Sequence, residues 1–248
     1  MGILQKIVAN TKANLAHKKV ELPLEKIQSS LENLKLPRGK FKDHISSKDE
    51  AIIAEIKKAS PSAGVIKEDF DPTKIAMEYE SFGASALSIL TEEDFFMGSI
   101  DYLKDVKKIT SLPILRKDFM IDEYQIYESK LIGADCILLI ASILTDQEID
   151  NFINIAKKLE LDYLIEVHDE NELKRVEHFE DALIGVNNRN LETFEVDLNN
   201  SVRLRNKFKQ KNIFIAESGI KSREDMNYLK MNNIKVFLIG ESLMRGSF

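Results

Sequence analysis

Ile132-Gly133-Ala134-Asp135-Cys136-Ile137-Leu138-Leu139-Ile140 reads as the end of a helix followed directly by a strand. Gly133 stands where a helix must end in a left-handed conformation, and Cys136–Ile140 is a strand-length run that is apolar on both faces. The pattern has an earlier echo, in which Phe82-Gly83-Ala84 leads into Ala86–Leu90. Working outward, similar runs recur at Ala51–Ile56, Pro113–Leu115, Tyr163–Val167, Ala182–Val186, Ile213–Ala216 and Val236–Ile239. Apolar residues on both faces suit parallel strands that are covered on both sides.

The segments between these runs carry helix-start signals. Asp71-Pro72 places a cap before a proline at the first helical position. Asp122-x-x-Gln125, Thr145-x-x-Glu148, Asp169-x-x-Glu172 and Ser222-x-x-Asp225 resemble capping boxes. About eight strands alternating with helices in a chain of this length predict an α/β fold, a single (β/α)8 barrel of the TIM type. An open doubly wound sheet would normally bring a Gly-rich dinucleotide loop, and neither G-x-G-x-x-G nor a Walker loop occurs. Residues 1–50 lie outside the alternation. They read as a helix, a break at Pro23, a helix over Leu24–Leu34, a Pro37-Arg38-Gly39 turn and a polar stretch, together an N-terminal helical extension on the barrel. Residues 51–244 are then the barrel and 245–248 a short tail, all one domain.

Composition excludes several function classes. With 35 Lys and Arg against 41 Asp and Glu the net charge is −6, which argues against a protein that holds nucleic acid by bulk positive charge. A single Cys excludes a disulfide framework, a Cys-rich zinc module and an iron–sulfur cluster, and suits a reducing compartment, here expected to be the cytoplasm. No run approaches the roughly 20 apolar residues of a membrane span, and lysines interrupt the apolar residues of the N-terminus where a signal peptide would be continuous. His17, His44 and His178 show no metal spacing, so no metal is expected. His168 shares a strand face with Glu166 and is expected at most behind it.

Strand faces alternate, so residues two apart point the same way. Ile53, Glu55 and Lys57 share a face. So do Leu115 and Lys117, Leu164 and Glu166, Gly185, Asn187 and Arg189, and Ile215 and Glu217. In each set the interior is apolar or Gly and the polar group comes at the carboxyl end. Burying unpaired charge is costly, and five strands repeating the pattern point to the one mouth where barrel sites sit. Two loops suggest phosphate: Ser218-Gly219 after the seventh strand and Gly240-Glu241-Ser242 after the eighth, where small residues let backbone N–H groups approach an anion. The Glu241 side chain is expected to point away. The long connection from Lys57 to Asp71, shaped by Pro61 and Gly64, suits a binding loop for an anion.

These same residues carry a resemblance. A-E-I-K-x-x-S-P-S-x-G (Ala54 to Gly64), S-I-L-T-E-x-x-F-F-x-G-S (Ser88 to Ser99), L-R-K-D-F (Leu115 to Phe119), G-A-D-x-I-L-L-I (Gly133 to Ile140), I-E-V-H-D-E-x-E-L (Ile165 to Leu173), G-V-N-N-R-N-L (Gly185 to Leu191), A-E-S-G-I (Ala216 to Ile220) and L-I-G-E-S-L-M (Leu238 to Met244) are similar, in order, to the indole-3-glycerol-phosphate synthase family. The resemblance implies a decarboxylating cyclase of tryptophan biosynthesis. Its substrate would be the anionic phosphosugar derivative 1-(2-carboxyphenylamino)-1-deoxyribulose 5-phosphate, and it would need no cofactor.

It further implies Lys117 as general acid, Glu166 as general base, Lys57 on the substrate carboxylate, Glu55 and Glu217 beside the lysines, and Asn187 and Arg189 on substrate or carboxylates. Ser60, Phe96, Phe119, Leu138 and Leu191 would bind the rest of the substrate, and Ser218, Gly219, Gly240 and Glu241 the phosphate. The rival barrel readings are a phosphoribosylanthranilate isomerase or pentose-phosphate epimerase, which do not call for two mouth lysines, and a catalytically dead binding subunit, which would have lost its acid or base. The family pattern continues past the phosphate helix with a last outer helix. Only four residues follow Met244 here, so exposed apolar surface between the first and seventh barrel helices is expected, and a monomer or weak homo-oligomer.

Overall fold

In the computed structural model, which describes residues 2–34, 38–191 and 193–248, eight parallel strands close into a barrel. They are β1 (Ala51–Ile56), β2 (Ala86–Leu90), β3 (Ile114–Lys117), β4 (Cys136–Ile140), β5 (Asp162–Val167), β6 (Leu183–Asn187), β7 (Phe214–Glu217) and β8 (Val236–Ile239). Each pairs with its sequence neighbours, and β8 closes on β1 with Ala51 opposite Val236 and Ala54 opposite Ile239. The third and seventh strands run further than the apolar runs suggested. Ladder pairing continues through Leu90 with Lys117 and Asn187 with Glu217, so the strands carry their polar ends within the sheet.

Helices cover the outside: α4 (Pro72–Phe82), α5 (Ile100–Ile109), α6 (Glu123–Leu131), α7 (Asp146–Lys158), α8 (Glu170–Val176), α9 (Asn199–Lys207) and α10 (Arg223–Met231). Their starts follow the sequence signals. Asp71 accepts from the Thr73 and Lys74 N–H groups, and Thr145 with Glu148 and Ser222 with Asp225 form complete capping boxes. Asp122 and Asp169 cap their helices as well, but the reciprocal partners turn elsewhere. Gln125 accepts from the Ile121 N–H and donates to the Phe119 carbonyl, which pins the loop after β3. Glu172 accepts from the His168 N–H at 2.8 Å. Gly83 and Gly133 adopt φ of 94° and 91°, the left-handed turn that ends α4 and α6.

Inside the barrel Ile53, Leu115, Leu138, Leu164, Ile215 and Leu238 interdigitate, and Cys136 packs among them. Each such large side chain contributes about 1.5–3 kcal/mol relative to exposure. The bottom of this core is closed by a segment whose composition reads as a polar stretch. It forms the short helix α3 (Phe41–Ser46), whose Phe41 and Ile45 are wholly buried in the barrel interior. Two apolar residues one turn apart suffice to plug the barrel, which a composition reading of the segment overlooks. Of the expected turn before it, Pro37 lies outside the described residues.

The extension is two helices, α1 (Ile3–Glu21) and α2 (Leu24–Asn33), split at Pro23 as expected. Leu15 and Ile27 pack with Tyr124 of α6 in a separate apolar cluster. Asn10 and Asn14 donate to Asp94, and Lys18 pairs with Glu93, which ties α1 to the loop after β2. After β8 comes α11 (Glu241–Met244). The tail then folds back: the Phe248 ring lies 6.3 Å from Phe82 of α4 and under the Arg223 guanidinium of α10. Phe248 thus covers part of the apolar surface expected between the first and seventh barrel helices, although Phe82 stays 44% exposed. No helix of the described residues is long and apolar enough to cross a membrane.

Candidate active site

The carboxyl ends of the strands open into one cavity of about 480 Å³. Every site residue inferred from the sequence lines it. For Glu55, Lys117, Glu166, Asn187 and Glu217 strand alternation explains this, because residues that follow the interior layer on the same face have nowhere to point except the mouth, and the loops that continue the strands bring the rest.

At its centre the Lys117 ammonium on β3 bridges two carboxylates from across the barrel, Glu217 Oε2 at 2.6 Å and Glu166 Oε2 at 2.9 Å. All three side chains are largely buried. Burial works against the Lys117 charge, but Glu166, Glu217 and Glu55 outweigh it and hold the ammonium above the ordinary lysine range. The carboxylates part company. Burial would raise Glu166, but Lys117, His168 and Asn187 hold it below the usual carboxylate range. Burial and the nearby Glu166 and Glu55 charges raise Glu217 despite Lys117. Glu217 Oε1 is buried with no hydrogen-bond partner. The two carboxylates that share Lys117 therefore differ in how readily they hold a proton.

Beside this triad, Lys57 and Glu55 of the first strand and its loop pair at 2.6 Å. Asn187 Nδ2 donates to Glu166 Oε1 at 3.0 Å, and the Arg189 N–H donates to Asn187 Oδ1 at 3.0 Å, so the amide is oriented from both ends. The Phe96 and Phe119 rings stand 5.9 Å apart and, with Leu138 and Leu191, give the cavity an apolar side. Ser60 anchors the first loop, its Oγ accepting from the Ala63 N–H at 3.2 Å within a small hairpin of Ala59–Ser60 and Gly64–Val65.

On the opposite side Ser218 and Gly219 both have positive φ, 65° and 83°. Gly219 is obligatory twice over, because a Cβ there would lie 2.2 Å from Val196 Cγ1. Ser242 Oγ donates to the Ile220 carbonyl at 2.9 Å and ties the loops after β7 and β8 together. The Glu241 side chain, 41% exposed, is tied to Arg245 Nε at 3.1 Å, with Arg189 Nη2 at 3.8 Å, so two guanidiniums balance the carboxylate. Among the described residues no three His, Cys, Asp or Glu side chains gather as a metal cluster.

A family model described as indole-3-glycerol phosphate synthase matches residues 4–247. The chain belongs to the indole-3-glycerol phosphate synthase family. Synthases of that name from Lachnoclostridium phytofermentans and Ruminiclostridium cellulolyticum are 45% and 48% identical to it, covering 99% and 98% of this chain and 95% and 94% of their own. Another, from Polaromonas naphthalenivorans, is 46% identical over 98% of the chain and 94% of its own. The chain is therefore a decarboxylating carbon–carbon lyase of tryptophan biosynthesis. Among solved structures, an N-acetylmannosamine-6-phosphate 2-epimerase from Clostridium perfringens superposes with a TM-score of 0.60 over 82% of this chain and 92% of its own. At 13% identity that likeness shows the fold alone.

One part of the synthase site was not legible in advance, and for another only the place was. Ile3, Leu4 and Ile7 of α1 form part of the cavity wall. Their spacing of one turn marks a buried face, but nothing in it says which surface they meet. His168 is the other. It was expected behind Glu166, and it is there, with Nε2 3.3 Å from Glu166 Oε1 and Nδ1 3.2 Å from Glu172 Oε2. Burial lowers its proton affinity, but the two carboxylates overcome this and lift it from 6.5 to about 10. Because the folded value lies above the unfolded one, its stabilising contribution is complete below pH 6.5 and disappears as pH rises through about 10. His168→Gln is accordingly expected to melt furthest below the parent at about pH 6, with the gap closing towards pH 10. A gap that stays constant across that range, or an NMR titration of the ring near its ordinary value, would contradict the assignment.

Proposed function

We propose that ring closure is performed by Lys117 as the acid and Glu166 as the base, on a substrate anchored by its phosphate. The observation that carries this reading is the Lys117 ammonium held at 2.6 and 2.9 Å between Glu217 and Glu166, in the same cavity as a separate Lys57–Glu55 pair. The Ser218-Gly219 turn and the Gly240-Glu241 segment take the phosphate of 1-(2-carboxyphenylamino)-1-deoxyribulose 5-phosphate. The side formed by Phe96, Phe119, Leu138 and Leu191 takes the aryl ring, Ser60 shapes the loop over it, and Lys57 holds the carboxylate. Anchored at both ends, the substrate is bent so that its carboxyl-bearing ring carbon approaches the ketone, an orientation effect that reaches several kcal/mol.

As that carbon attacks, Lys117 donates its proton to the ketone oxygen. The ring carbon is then tetrahedral beside an iminium, which accepts the electron pair as CO₂ departs and aromaticity returns. Dehydration follows: the new hydroxyl leaves as water after protonation by Lys57, and Glu166 takes the proton lost from the neighbouring ring carbon to give indole-3-glycerol phosphate. Asn187 and Arg189 keep Glu166 aimed, and Glu217 holds Lys117 until substrate displaces it. The lone buried Cys136 fits a reducing cytoplasm.

Purified protein mixed with this substrate is expected to develop indole fluorescence without added metal or cofactor. Its absence, with the substrate bound, would overturn the reading.

A further inference from the structure

Each mouth lysine is held by a glutamate, and each of those glutamates lies over a glycine of the strand next door. Glu217 at the end of β7 rests on Gly185 of β6, and Glu55 of β1 rests on Gly240 at the end of β8. A Cβ built on Gly185 would stand 2.1 Å from Glu217 Oε1, and one built on Gly240 would stand 2.3 Å from Glu55 Oε1. Neither distance can exist between real atoms. Gly185 is not among the positive-φ residues, and Gly240 has φ −115° and ψ −78°, so neither position needs the left-handed conformation that favours glycine. The glycines are required by the space that the carboxylates occupy.

We propose that Gly185 and Gly240 are positioning residues, whose missing side chains seat the carboxylates of Glu217 and Glu55 so that these reach Lys117 and Lys57. The inference rests on the proposed roles of those lysines and adds a cause for their placement. The two seats are equivalent, since in both the carboxylate lies across the strand preceding its own around the barrel. At Gly185 the closest neighbour is the tip of a flexible side chain, with Leu164 Cδ1 next at 3.1 Å. An added methyl therefore evicts the carboxylate before it disturbs the backbone. At Gly240 the intruding methyl would also meet Glu55 Cδ at 3.1 Å and Cβ at 3.3 Å, so less of the strain can be relieved by rotation.

The test is a double-mutant cycle. Gly185→Ala in the parent chain is expected to lower kcat by about 100-fold, the scale of a 1 Å misplacement in an active site. In a Glu217→Ala chain, where the seat is empty, the same change should alter kcat by less than about twofold. A crystal structure of Gly185→Ala should show the 2.6 Å Lys117–Glu217 contact broken. If Gly185→Ala alone fails to fold, adding Glu217→Ala should restore folding; at the second seat, where Gly240 also borders the proposed phosphate site, the readout is structural, and Gly240→Ala should show the 2.6 Å Lys57–Glu55 contact broken. An equal cost of the glycine change with and without the glutamate, or an intact contact in the variant, overturns the proposal. Lys117→Met separates this from the function itself. Full turnover in that variant overturns the assigned chemistry, while the contact seen in Gly185→Ala still decides the seat.

Discussion

Lys117→Met is expected to lower kcat by about 10²–10⁴-fold, the range for removing a general acid, and to leave KM within a few-fold of the parent. The proposed phosphate turn at Ser218 and Gly219 and the proposed aromatic wall of Phe96 and Phe119 are separate from the Glu166 and Glu217 carboxylates that hold the Lys117 ammonium, so on that proposal the ground-state anchors survive. The ammonium is lost from between two buried carboxylates, Glu166 at 2.9 Å and Glu217 at 2.6 Å. Like charges facing each other across that gap favour taking up a proton, so the variant holds a proton between the two carboxylates more tightly than the parent does. Lys117→Arg distinguishes the acid from the charge. A guanidinium keeps the ion pairs but does not give up its proton, so this variant should fold normally and remain as slow as the Met variant. Parent-like turnover by either variant, measured as indole fluorescence, would remove Lys117 from the acid role.

How far the sequence carried this site follows from what strand periodicity encodes. A period of two places Glu55, Lys117, Glu166, Asn187 and Glu217 on inner faces at carboxyl ends, and barrel closure then brings them together with no further information. The family motifs added the roles. What stayed hidden depends on contacts between elements that sequence spacing does not encode. α3 looked polar because four of its six residues are polar, yet Phe41 and Ile45 decide where it goes. The docking of Ile3, Leu4 and Ile7 at the mouth depends on α1 lying across the loop after β2, fixed by Asn10 and Asn14 on Asp94. Gly185 looked like one more small strand residue, and its function becomes visible only when the Glu217 side chain is placed above it. Arg245 as a partner of Glu241 follows from i,i+4 spacing, whereas Arg189, on another loop, needed the coordinates.

Arg116→Leu is expected to destabilise the protein by about 3–5 kcal/mol, the usual cost of removing one partner from a buried ionic cluster. Arg116 stands beside Lys117 on β3 but points outward, into the layer between sheet and helices, where its side chain is 1% exposed. Its guanidinium meets Asp118 Oδ2 at 3.0 Å and Glu128 Oε2 at 2.8 Å, and donates to Thr91 Oγ1, Ser129 Oγ and the Gln125 carbonyl. Leucine fills part of the volume but leaves two carboxylates buried without a counter-charge, and that penalty exceeds any gain from apolar packing. For a chain of this size the loss corresponds to a fall in Tm of about 6–20 °C. Adding Glu128→Gln to Arg116→Leu should recover part of it, because one uncompensated charge disappears while the amide keeps the shape of the acid. That non-additivity separates a charge effect from a cavity effect, since a cavity left by the shorter side chain would be unchanged by the second substitution. Thermal melts of the single and double variants decide it: a double variant no more stable than Arg116→Leu alone would assign the loss to packing, and a single variant as stable as the parent would show that the cluster is dispensable.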